Sequence, residues 1–406
     1  MSSARRIEST GRSYGLILIV RLIVRRRVCD ARGVDTLGGE LPGIVDAHLH
    51  QWNPRRKPSS DVVSRGLHYV TDLGRQTVPR VIGRREPEFL LNPSALLRAY
   101  EPRDYLADGA RVLPVTGARI DTVVCVESLS LSGRDTSPMA ETAYLTSLPF
   151  GAGGAPHVGA IVAAADPRDD DLGRQLDECA AASDLLRGVR WCAARHPDSG
   201  VRDFAAADNI LPSAEFLNGF ETIAGRRLVF EVMCYSHQLY DVVILAREFP
   251  DTTIVVDHIG IPVGAFGPVG ARTGATAANR ADILRLWRER ITTLATYPNV
   301  VVKLSGLALP VLGYGKARWG NIGGRETLAE MVGPLVEHLA ARFGPERLLF
   351  GSNYPVDKPN ATLEDLVGAL TDILDDRGSY WLRRIFADNA RAVYRLGAPD
   401  DPAPGE

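Results

Sequence analysis

No Cys-x-x-Cys pair occurs in this chain; its five cysteines, Cys29, Cys125, Cys179, Cys192 and Cys234, are scattered. That spacing argues against a structural zinc site or a disulfide framework and suits reduced thiols in a cytosolic enzyme. An excess of one charge is also lacking. The net charge of -2 gives no general attraction to nucleic acid or to an anionic membrane surface. No apolar run reaches the roughly 20 residues that a bilayer span needs. The strongest, Gly15–Val24, is interrupted by Arg21, runs into Arg25, Arg26 and Arg27, and has no small-x-small cleavage site after it. A cytoplasmic protein without membrane partners is the expectation. A phosphate-binding G-x-x-x-x-G-K-[ST] loop is missing too. The glycines of 260–274 lack the strand-to-helix setting of a dinucleotide site.

What is present is a regular alternation. From about residue 42 onward, short β-branched runs at Ile44–His50, Thr122–Glu127, Val158–Ala165, Gly188–Cys192, Leu228–Cys234, Thr253–His258, Val300–Ser305 and Leu348–Ser352 read as strands. Several are almost continuously apolar, as strands buried on both faces of a parallel sheet are. Helical periodicity lies between them: Leu284, Trp287, Ile291 and Leu294 share one face, as do Leu328, Met331, Leu335 and Leu339. Pro334 inside the second set predicts a kink or a late helix start. Eight strands with helices between most of them predict a (β/α)8 TIM barrel, with an open doubly wound sheet as the alternative. The expected layout is an N-terminal extension (1–40), one barrel domain (41–396) and a tail (397–406). Residues 1–40 are read as an extra strand, a poorly ordered arm or an over-extended start. Two long connections, 51–121 and 261–280, are candidate lids or binding loops.

The sharpest chemical signal is Asp46-Ala47-His48-Leu49-His50, which closes the first strand. Ideal alternation puts Asp46, His48 and His50 on one face, which in a barrel is the interior, at the mouth. Two imidazoles there can share a divalent cation or polarise an oxyanion. Glu231 lies within the fifth strand, where a carboxylate must be paired, hydrogen-bonded or neutral. It is either a polar site group or the ion-pair partner of Arg190. Arg190 and Lys303 are cations within strands, suited to a substrate carboxylate or to developing negative charge, with interior salt bridges as the competing reading. Glu127 is a partner for either. His237, just after the fifth strand, and Trp52, at the head of the 51–121 connection, are further candidate substrate contacts. Cys192 and Cys234 sit near the same strand ends and read as small buried thiols.

The Asp-x-His-x-His opening resembles that of the amidohydrolase superfamily. The strings FPDTTIVVDHIGIP (Phe249–Pro262), PNVVVKLSGL (Pro298–Leu307) and RLLFGSNYP (Arg347–Pro355) are similar to its lactonase-related branch, which includes pyrone dicarboxylate lactonase and fuconolactonase. The likeness runs from about residue 42 to Leu396. It implies a barrel with its site at the C-terminal ends of the strands, and it makes His258 a site histidine; neighbouring Asp257, which points the other way in an ideal strand, reads as a partner orienting an imidazole N–H. It also implies that His48, His50 and His258 hold one divalent metal, zinc or manganese, although action without a metal is equally open in this branch. One departure stands out. Hydrolytic members usually end the eighth strand in a proton-accepting aspartate, and this chain has Asn353. An amide orients water or substrate but does not take a proton near neutral pH. The base is then a histidine, Glu231 or Asp357. The leading expectation is a hydrolase acting on a small carbonyl compound, a lactone first or a related carboxylate. The alternatives are a decarboxylase of a small aromatic acid and a catalytically degenerate barrel that binds a small acid. An exposed helical face is a candidate for a homo-oligomer contact.

Overall fold

The computed structural model describes residues 43–53, 98–128, 137–314 and 322–397. The expectations for residues 1–40, and for all but the first residue of the 397–406 tail, lie outside the described residues, as do Cys29 and most of the 51–121 connection. Eight parallel strands form a nearly closed barrel in sequential order: β1 (Ile44–Leu49), β2 (Ile120–Val126), β3 (His157–Ala164), β4 (Leu186–Cys192), β5 (Val229–Met233), β6 (Ile254–Val256), β7 (Val300–Leu304) and β8 (Leu348–Phe350). Every predicted strand is present, shortened or extended by a few residues.

A helix follows each strand: α1 (Pro102–Asp108), α2 (Pro138–Thr146), α3 (Leu172–Ala182), α4 (Ala214–Gly225), α5 (Leu239–Glu248), α6 (Ala277–Leu294), α7 (Arg325–Phe343) and α8 (Leu363–Leu374). The starts of α2, α4, α6 and α8 are fixed by Ser137, Ser213, Thr276 and Thr362, whose hydroxyls accept from backbone N–H groups of the first turn. Helix α7 runs through Pro334, so no late start occurs there. Among the described residues no helix is long and apolar enough to cross a membrane.

The barrel closes between β8 and β1 through the chain that follows β8. Asn353 N donates to His48 O at 2.8 Å, and His50 N donates to Tyr354 O at 2.8 Å. The interior floor is a cluster of small residues, Val45, Ala47, Val124, Val162, Val255 and Val301 among them. Ala387, Ala390 and Tyr394, from the helical segment Ser379–Tyr394, pack against that cluster and plug the N-terminal end of the barrel. One end is therefore sealed by apolar packing. Polar side chains collect toward the other.

Candidate active site

Strict alternation fails on β1, and the failure builds the site. Pairing with β2 slips between Asp46 and Leu49, a local irregularity that reverses which residues face inward. Val45 and Ala47 belong to the interior floor, so Asp46 does not share a face with the imidazoles as expected. Its carboxylate instead accepts from Tyr105 Oη at 2.6 Å, Ser352 N at 2.8 Å and His48 N at 3.0 Å, tying α1 and the post-β8 chain to β1. Past the slip, His48 and His50 come together, with their Nε2 atoms 3.2 Å apart. The His50 Nδ1–H donates to the Val126 carbonyl at 3.1 Å, which leaves its Nε2 as a bare lone pair.

Behind this pair lies a buried charge network. Lys303 Nζ donates to Glu231 Oε2 at 2.6 Å and lies 3.1 Å from His48 Nδ1. The other Glu231 oxygen accepts from Tyr394 Oη at 2.5 Å, which reaches up from the barrel floor. Arg190 Nε donates to Asp257 Oδ2 at 2.7 Å and its Nη1 to Glu127 Oε1 at 3.0 Å. The expected pairing of Glu231 with Arg190 is therefore corrected. The two are register neighbours, yet each turns to a partner two strands away, Glu231 to Lys303 on β7 and Arg190 to Asp257 after β6. Arg190 keeps one weakly used donor, Nη2, whose partner is the Met233 sulfur at 3.3 Å.

Asp257 is more central than an orienting role would make it. It follows Val255 on the interior parity, and its Oδ1 lies 3.4 Å from His48 Nδ1 and 3.6 Å from Lys303 Nζ. Neither contact has hydrogen-bond geometry, so this buried oxygen is left without a hydrogen bond. Burial opposes its ionisation, but the Lys303 and Arg190 cations beside it outweigh burial and hold its pKa well below the ordinary carboxylate range. For Glu231 burial wins over the Lys303 charge, and the pKa rises to about 7. Burial pushes the imidazoles the other way: His50 to about 4, His258 to about 3, and His48 also well down, with the Lys303 charge adding to the effect. Three neutral rings therefore face one another near neutral pH.

His258 does not reach the cluster by strand parity. Strand β6 ends at Val256, and His258 enters a turn in the left-handed region, with φ of 53°, 54° and 23° at His258, Ile259 and Ile261. Two β-branched residues with positive φ are uncommon, and such strain persists where surrounding packing over-determines it. Here the Ile259 carbonyl accepts from Trp287 Nε1 at 2.8 Å, and His258 Nδ1 is bonded to Ser305 Oγ at 2.9 Å. Gly306 makes room, since a Cβ there would come within 2.7 Å of His258. The His258 ring lies 4.6 Å from that of His48, and its Nε2 makes no hydrogen bond among the described residues.

Asn353 is also left-handed, with φ of 55°. Its Nδ2 donates to Asp357 Oδ1 at 2.8 Å, while Asp357 Oδ2 accepts from Ala308 N at 3.0 Å. Asp357 thus anchors the amide and the loop after β7, and burial raises its pKa to about 7.

Two other candidates make their contacts with different partners. Trp52 bridges Tyr100 and donates its indole N–H to Arg98 O at 2.8 Å, which pins the returning end of the long connection. His237 lies against His196, 5.2 Å between rings, in a second histidine pair, and burial lowers its pKa to about 4. The 261–280 loop is tied down by Asp198. This carboxylate accepts from Gly200 N, Ala271 N, Arg272 N, Thr273 N and Thr273 Oγ1 at 2.9–3.1 Å. Tyr394, Ser305 and Asp198 were not foreseen. Ser305 continues the Val301, Lys303 alternation and was within reach of it; Tyr394 and Asp198 carry no local signal.

The fit of a divalent cation is divided. His48, Asp257 and His258 offer ligand atoms within 4.8 Å of one another, a candidate metal-binding group. Zinc–nitrogen bonds of about 2.0–2.1 Å set two tetrahedral imidazole ligands roughly 3.3 Å apart, which the His48–His50 spacing of 3.2 Å matches. The protons do not match. A ligating His48 Nε2 needs its hydrogen on Nδ1, and Nδ1 already faces the Lys303 ammonium. As hydrogen-bonded, the His48–His50 pair does not present two lone pairs to a cation, while His48, Asp257 and His258 stand as a candidate metal-binding group.

Residues 45–396 match the sequence model of a family described as Amidohydrolase. The chain is 28% identical over 353 residues to the uncharacterised protein y4mH of Sinorhizobium fredii, covering 87% of this chain and 98% of that protein. It is 27% identical over 301 residues to an L-fucono-1,5-lactonase of Burkholderia multivorans, covering 74% of this chain and 88% of that enzyme. In fold it resembles an amidohydrolase of Burkholderia multivorans crystallised with bound zinc, with a TM-score of 0.61 at 21% identity over 87% of this chain and 100% of that one.

Proposed function

This chain belongs to the amidohydrolase family, and from that premise we propose that it hydrolyses a small lactone at the C-terminal mouth of its barrel. The observation that carries the reading is the meeting of three neutral imidazoles, His48, His50 and His258, with a guanidinium that has a donor to spare. The 27% identity to an L-fucono-1,5-lactonase supports a cyclic ester as the substrate class.

Each group has one task; for His258 the Asp257 charge opposes the burial that disfavours its protonation. Arg190 Nη2 exchanges a thioether for the substrate carbonyl oxygen or a ring carboxylate, a far better acceptor. Water attacks the carbonyl carbon and gives its proton to His258 Nε2, the ring nitrogen without a partner. Asp257, whose ligand oxygen lies within 4.8 Å of the ring's, stabilises the imidazolium that forms. The ring C–O bond then breaks, and the same proton passes to the departing alkoxide. Lactone and water yield one hydroxy acid. Asn353, its amide fixed by Asp357, offers its carbonyl to the water or to a substrate hydroxyl. No step requires a proton acceptor at the end of β8.

The test is turnover of six-membered sugar lactones and pyrone carboxylates, followed by acid release. Wild-type protein opens at least one of them, and His258→Asn lowers kcat by about 10²- to 10⁴-fold, the range for a lost general base. A chain that opens none, with or without added zinc or manganese, ends the proposal.

A further inference from the structure

The protons around His48 are decided by its neighbours. The Val126 carbonyl can only accept, so His50 carries its hydrogen on Nδ1 and presents a lone pair from Nε2. His48 Nε2, 3.2 Å away, then has two options. It holds a hydrogen and donates it, or it is also bare and a cation must separate the two lone pairs. The choice is made at the other side of the ring. A neutral His48 with hydrogen on Nε2 has an acceptor at Nδ1, which matches the Lys303 ammonium at 3.1 Å. A His48 with hydrogen on Nδ1 sets donor against donor at that distance, while its acceptor, Asp257 Oδ1, waits at 3.4 Å with no hydrogen bond.

We propose that Lys303 is a positioning residue that selects the tautomer of His48 and so fills the His48–His50 pair with a proton in place of a divalent cation. Lys303 then donates both to Glu231 and to His48, and the run continues from His48 through His50 to the Val126 carbonyl with a donor meeting an acceptor at every link. Take the ammonium away, and His48 Nδ1–H turns to the orphan oxygen of Asp257. Both Nε2 lone pairs then converge on one point. The motif of a metal site is present, and one lysine holds it closed. This inference does not depend on the lactone reading.

The test uses the full-length chain after chelator treatment, titrated with zinc alone against a chromophoric competitor. Lys303→Met should bind zinc more tightly than wild type by about 10- to 100-fold, the usual weight of a residue that orients a ligating histidine. Lys303→Met/Glu231→Gln should behave the same way, and it covers the case in which an unpaired Glu231 unfolds the single variant. Nitrogen-detected imidazole spectra, with His48 assigned through His48→Ala, should show hydrogen on Nε2 in wild type and on Nδ1 in the zinc-free variants. Equal zinc affinity in wild type and variants, or a wild-type His48 with hydrogen on Nδ1, overturns the proposal. Failure on every lactone would sink the functional reading and leave these two measurements untouched.

Discussion

At the scale of single residues, the site is a set of groups whose ionisation is set by burial against specific partners. Asp357 shows the sign clearly. Burial lifts its pKa from 3.8 to about 7, so over that interval the folded chain keeps a proton that the unfolded chain has released. The stability it contributes is complete below pH 3.8 and is lost as pH rises through about 7. Asp357→Asn removes this dependence, and its denaturant midpoint should fall less than that of wild type across the same interval. A variant with an unchanged slope would mean that the carboxyl is already ionised when folded. Residue types were legible in the sequence: His48, His50, His258 and Asn353 all enter this one region. Their pairings were not. Glu231 and Arg190 sit side by side in register, and only the three-dimensional placement of Lys303 and Asp257 draws them apart.

At the scale of elements, loops and strand ends do the positioning. The 261–280 connection read as a lid or binding loop, and its glycine content says nothing about what holds it. A single carboxylate from the chain after β4 does so. Asp198→Ala strips the partner from the amides of Gly200, Ala271, Arg272 and Thr273. Hydrogen bonds to charged groups contribute about 1.5–3 kcal/mol, so exchange at these amides should rise by roughly 10- to 100-fold while the strands keep their protection. Uniform acceleration throughout the barrel would show that the loop is not an independent unit. Strand periodicity located all eight strands because buried parallel strands have an unbroken apolar signature. It misplaced Asp46 because the slip on β1 is a backbone event that a period-two count does not register, and it turned Asp257 away because His258 reaches the site from the left-handed turn after β6 and not by the parity of that strand.

At the scale of the whole molecule, the last helical segment couples the floor of the barrel to its reactive end. Tyr394 packs among the floor residues and places its hydroxyl on Glu231. Tyr394→Ala should destabilise the fold by about 3–5 kcal/mol, as removal of a buried aromatic does. Tyr394→Phe keeps the packing and should cost about 1–3 kcal/mol, since Glu231 then loses a donor while buried. Equal costs in thermal or denaturant unfolding would show that the hydroxyl contributes nothing. The sequence by itself determined eight buried strands alternating with helices and the residue types at their ends, because unbroken apolar runs separated by helical periodicity leave a parallel sheet few ways to bury itself, whereas closure of that sheet into a ring was settled by the structure. The tertiary structure alone decided which charge meets which. Partners such as Lys303 and His48 are 255 positions apart, and no local pattern encodes a contact made only when the ring of strands closes.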